Sequence, residues 1–140
     1  MKNSRLLTIT SLLLILLFTF HLTDDIVHGF EPGGLNNLIG GTAILVVLLF
    51  GTLVLTETLA GYIITLLGGL LAFGVAGIHM NGAGVGGEFA KSNGAYFFIW
   101  TLLALGLTGI FSVILSVRGL WSLQWGKSRS PNNPNREGSS

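Results

Sequence analysis

His21, Asp24, Asp25 and His28 stand at positions i, i+3, i+4 and i+7. Successive helix residues rotate by about 100°, so a helix through this stretch brings all four to one face, flanked by Glu31. Imidazoles and carboxylates converging on one stripe are the donor set of divalent transition-metal sites such as Zn²⁺, Fe²⁺ or Mn²⁺. His79 and Met80, at the same end of a later apolar segment, would offer a further nitrogen, or a thioether to copper. The candidate metal ligands are therefore His21, Asp24, Asp25, His28, Glu31 and His79, with Glu88 within reach on a loop. The spacing is not H-E-x-x-H, and the simpler expectation for such residues is a hydrogen-bond network anchoring loops at a membrane surface.

Other chemistry is more thinly supported. His21 and His79, on different segments, are placed to bracket a haem or ligate a chlorin. A proton relay through His21, Asp24 and His28 lacks a charged group in mid-membrane to continue it. The run Gly82-Ala83-Gly84-Val85-Gly86-Gly87 follows an apolar segment rather than a strand and has no Lys-Ser/Thr, so it is not a phosphate loop. Ser92 lacks the context of a catalytic nucleophile, and Glu57 reads as a solvated turn residue.

These residues hang on an apolar framework. The chain has 140 residues, of which half are hydrophobic, 13 are charged and none is cysteine. Charged residues make up 9%, against about 25% in soluble domains, and a net charge of +1 does not suit nucleic-acid binding. The absence of cysteine excludes disulfides, thiolate nucleophiles and Cys-type metal sites. Four uncharged stretches approach the roughly 20 residues a membrane helix needs: 6–22, 38–55, 59–78 and 96–117. The expected fold is an all-α bundle of four transmembrane helices over residues 1–125, with a disordered tail over 126–140.

Six of the seven basic residues (Lys2, Arg5, Arg118, Lys127, Arg129 and Arg136) fall on one side of such a bundle. The positive-inside rule makes that side, with both termini, cytoplasmic; Asp24, Asp25, Glu31, Glu88 and all three histidines then lie outside. Trp100, Trp121 and Trp125 sit at the expected interfaces. The basic start and 15-residue apolar core also resemble a secretory signal, but no small-x-small cleavage site follows. Residues 23–37, with Pro32-Gly33-Gly34 and Asn36-Asn37 as breakers, and 79–95, with five glycines, form the outer loops. The inner connection is only Thr56-Glu57-Thr58, with Thr58 placed to cap the third helix.

Helices in lipid approach closely through small residues and hydroxyl hydrogen bonds. Rows at four-residue spacing suit this: Gly61, Thr65, Gly69; Gly68, Ala72, Ala76; and Ala104, Thr108, Ser112, Ser116. They would pack the bundle itself or dock another chain. The first functional expectation is a non-enzymatic accessory or interaction subunit of a membrane assembly, in a bacterial inner membrane, as a homo-oligomer or within a larger complex. The second is an outer-face metal-binding membrane protein that uses the His/Asp cluster. The third is a small oligomeric transporter or channel lined by Thr108, Ser112 and Ser116.

Overall fold

The computed structural model describes residues 2–28, 35–81 and 95–128. Its regular elements are four helices: α1 (Lys2–His28), α2 (Leu35–Leu53), α3 (Leu59–Asn81) and α4 (Ala95–Ser128). Three contain stretches long and apolar enough to cross a membrane, Ser4–Val27, Leu59–His79 and Tyr96–Trp125. The apolar part of α2, Leu38–Leu53, is shorter and rises only about 24 Å. The expected second span is cut short because the chain already turns at Val54. Asn36 and Asn37, expected as breakers, instead lie in the first turn of α2. Backbone N–H groups there have no intrahelical acceptor, so asparagine costs little. α4 likewise continues three residues beyond the expected start of the tail.

The turn between α2 and α3 is built as its sequence implies. The Gly61 amide donates to Thr58 Oγ1 at 3.1 Å, which satisfies an orphan donor of the first turn of α3. Glu57 has a left-handed φ of 64°, a conformation that costs a non-glycine residue about 1 kcal/mol or more.

Large apolar side chains cover the surface as well as the core, and hydroxyls lie inside. Leu13, Leu16, Val46, Phe50, Leu67, Phe73, Leu107 and Phe111 point outward, while Ser11, Thr52, Thr65, Thr108, Ser112 and Ser116 are buried. That arrangement suits hydrocarbon outside, where an unsatisfied hydroxyl costs several kcal/mol and an exposed leucine costs nothing.

The buried positions alternate steps of three and four. On α1 they are Leu7, Ser11, Leu14, Phe18, His21 and Asp25; on α3, Tyr62, Thr65, Gly69, Ala72, Ala76 and His79, the last half-buried. On α4 the series runs Phe98, Leu102, Leu105, Gly109, Ser112, Ser116 and Gly119. A mean step of 3.5 keeps one seam facing its partner, as in coiled-coil-like packing. Rows spaced by four drift about 40° per step. Gly61, Gly68 and Thr108 are nonetheless buried, whereas Ala104 is only half-buried.

The most extensive interface joins α3 to α4, followed by α1 with α4; of the helices in contact, α1 and α3 touch least, and α2 does not reach α4. Two glycines permit the α3–α4 approach. A Cβ on Gly69 would lie 2.8 Å from the Gly109 carbonyl oxygen, and one on Gly109 would lie 2.7 Å from that of Gly69. Across the same interface, Thr65 and Ser116 hydroxyls bond at 2.9 Å, and Ser112 Oγ donates to the Thr65 carbonyl at 3.1 Å.

This contact can be tested against a glycine that has space. A Cβ on Gly74 meets nothing within 4 Å. Gly109→Ala should destabilise by about 1–3 kcal/mol, as overpacking does, and lower the unfolding midpoint in detergent. Gly74→Ala should raise that midpoint, by about 0.5–1 kcal/mol of restored helix propensity.

Candidate metal centre

The α1 seam carries His21 and Asp25 into the bundle at the end away from the α2–α3 turn. They are i, i+4 neighbours, each 4% exposed, with His21 Nε2 3.3 Å from Asp25 Oδ2. The α3 seam ends on half-buried His79, whose ring meets that of His21 edge to face, with centroids 5.0 Å apart. One donor atom from each of His21, Asp25 and His79 lies within 4.8 Å of the others, and together they can hold a metal ion. Phe98, at the start of the α4 seam, forms the wall, its ring 5.2 Å from His21 and 5.7 Å from His79.

Hydrogen bonding fixes part of the site's chemistry. His79 Nδ1 lies 2.9 Å from the Val75 carbonyl oxygen, and a carbonyl can only accept. Nδ1 therefore carries the proton, so a neutral His79 keeps the Nε2 lone pair for an electrophile. Metal-bound histidines are commonly oriented in this way by a backbone carbonyl. His21 Nδ1 is buried and has no hydrogen-bond partner among the described residues. Asp25 brings a carboxylate into the same pocket, where an ionised oxygen is costly unless positive charge or hydrogen bonds compensate it. A divalent cation would compensate it directly.

The geometry needs only modest closure. Bonds of about 2.0–2.2 Å in a tetrahedral zinc site place donor atoms roughly 3.3 Å apart. The widest pair here, at up to 4.8 Å, then closes by up to about 1.5 Å, within the range of side-chain rotation. Edge-to-face contact of His21 and His79 leaves no slot between them, so in this arrangement they do not bracket a haem.

The structure thus joins His21, Asp25 and His79 from the expected set. Asp24 shares the end of α1 but is half-buried and outside this trio. The side chains of His28 and Met80, and all of Glu31 and Glu88, lie outside the described residues. Thr108, Ser112 and Ser116, expected as a pore lining, are buried within the chain; Thr108 donates to the Ala104 carbonyl at 2.6 Å. Phe98 was not legible as part of the site, although its place in the α4 seam was a usable signal. No protein-family model matches the chain, and neither a curated protein sequence nor a solved structure is significantly similar to it.

Phe98 supports both imidazoles, so Phe98→Ala should cost about 3–5 kcal/mol of stability, while Phe98→Leu should cost markedly less. Thermal unfolding of the two variants in the same detergent measures the difference.

Proposed function

We propose that the protein is a small multi-pass membrane protein that binds one divalent transition-metal ion through His21, Asp25 and His79. The observation that carries this reading is the convergence of three donor atoms, from α1 and α3, within 4.8 Å in a buried pocket. Two imidazoles and one carboxylate are the ligand set of zinc and non-haem iron centres that keep a position open. A divalent ion with one carboxylate leaves one positive charge, which favours hydroxide or another anion as the remaining ligand. The imidazoles must be neutral to bind, so affinity falls as acid protonates them.

In this reading all four helices lie in the membrane, with both termini cytoplasmic in a bacterial inner membrane, and the metal faces outward. The charge distribution supports it, since among the described residues Lys2, Arg5, Arg118 and Lys127 fall at the opposite end from His21 and His79. An accessory role in a larger assembly is compatible with it, the metal being what this subunit contributes. Such a role would use the lipid-facing surface, because Gly69, Ala76, Ser112 and Ser116 pack within the chain.

Elemental analysis after loading with Zn²⁺, together with Co²⁺ absorption, tests the site. The wild type should hold about one ion per chain, with Co²⁺ giving ligand-field bands. Asp24→Asn should retain the ion, whereas Asp25→Asn should weaken it and His21→Ala/His79→Ala should abolish it. Equal, substoichiometric metal in the wild type and the double variant would overturn the proposal.

Topology has an independent test, because the chain has no cysteine. A single cysteine placed at Ser92 should react with an impermeant maleimide in intact cells. One placed at Ser139 should react only after lysis.

A further inference from the structure

The end of the bundle that carries the α2–α3 turn holds a cleft of different character. Its donors are oxygens alone: Ser11 on α1, Thr52 on α2 and Thr65 on α3, with Thr8, Thr56 and Glu57 nearer the turn. Ser11 and Thr52 are 4% and 3% exposed, and among the described residues neither hydroxyl has a hydrogen-bond partner. A buried hydroxyl without a partner is costly, so a ligand that contacts both oxygens has a physical reason to be there. Two adjoining chambers share Ser11, Thr52 and Thr65, and each leaves about 10 Å³, the room of a single water.

The neighbouring hydroxyls are turned into acceptors. Thr8 donates to the Ser4 carbonyl at 3.0 Å, Thr56 to the Thr52 carbonyl at 2.7 Å, and Thr65 to the Gly61 carbonyl at 3.0 Å. With those hydrogens committed, Thr8 and Thr56 offer the cleft lone pairs, and Thr65 offers the one that Ser116 leaves. Glu57 contributes the one carboxylate, on a residue held at positive φ, and no lysine, arginine or histidine lines the cleft among the described residues.

Lone pairs around one negative charge select a cation and repel an anion. Oxygen-only donors suit a hard cation rather than the transition metals that imidazole prefers. One carboxylate neutralises a monovalent ion, and with room for a single body no anion can accompany a divalent one. Room for a single water-sized body excludes a hydrated ion and favours a small bare one. We infer that this cleft is a sodium site, formed by Ser11, Thr52 and Thr65 with Glu57 at its mouth.

The site is separate from the metal centre. Ser11 and His21 are ten residues apart on α1, about 15 Å along the helix, and the apolar layer of Leu14, Ile15, Phe18, Ala72 and Leu105 lies between. Sodium occupancy therefore does not require His21, Asp25 or His79, and the two proposals stand or fall independently.

Thermal unfolding of the full-length protein in detergent tests the inference, with sodium, potassium and choline chlorides compared at equal ionic strength. Sodium should raise the midpoint saturably over choline, by about 4 °C or more at high occupancy, and potassium should do so less. Thr52→Val and Glu57→Gln should each remove most of that difference, whereas His21→Ala/His79→Ala should leave it intact. The exposed Glu57→Gln change, with sodium-23 relaxation of the wild type, keeps the test decisive if Thr52→Val does not fold. Equal midpoints in sodium and choline would mean that the cleft holds only water, and equal rises in sodium and potassium would overturn the size argument.

Discussion

A polar group in hydrocarbon can be satisfied only by the protein itself, and the rest of this structure follows from that constraint. Backbone groups meet it by forming helices; hydroxyls such as Thr19, Thr23 and Thr65 meet it by donating to a carbonyl of their own helix, and Ser112 by donating across to α3. The outcome is a bundle whose surface is leucine, valine and phenylalanine and whose interior carries serine, threonine, histidine and aspartate. In a membrane, burial of apolar area would not hold such a bundle together, because lipid is equally apolar. Close packing and a few interhelical hydrogen bonds take its place, with Gly69 against Gly109 and Thr65 against Ser116.

The inward seams are not chemically uniform along their length. On α1 the sequence of buried side chains runs from the Ser11 hydroxyl, through Leu14 and Phe18, to His21 and Asp25. α3 repeats the order, from Thr65 through Ala72 and Ala76 to His79. The bundle thus has oxygen donors towards one end, nitrogen and carboxylate donors at the other, and an apolar layer between. This segregation matches ligand hardness: hydroxyl and carboxylate oxygens favour hard cations, whereas imidazoles favour transition metals. The apolar layer keeps the two ends sterically apart.

The candidate metal centre sits at the least extensive of the helix contacts. α1 and α3 touch little, yet each contributes donor atoms to the same pocket, and α4 closes it with Phe98. An ion held by both helices would link elements that packing links weakly. Its binding free energy would then also stabilise the bundle, as ligand linkage requires.

The sequence by itself determined the helices, the α2–α3 turn with its Thr58 cap, and a histidine–aspartate cluster at one end. Each of these is local: apolar run length, a capping hydroxyl, and spacing along one chain. A single helix face also brought Asp24 and His28 into the candidate set, because residues at i, i+3, i+4 and i+7 share a side of a helix in isolation. Only the tertiary structure decided which part of that face is buried. The alternating three- and four-residue seam selected Asp25 over Asp24 and carried His79 to His21 across more than fifty residues of chain. The same seam was present in the residue spacing, but it becomes legible only against its partners. Gly106 and Gly109 look like ordinary helix glycines until Ala76 and Gly69 face them. Run length and capping depend on neighbours in sequence, whereas a site shared between helices depends on how those helices are phased against one another.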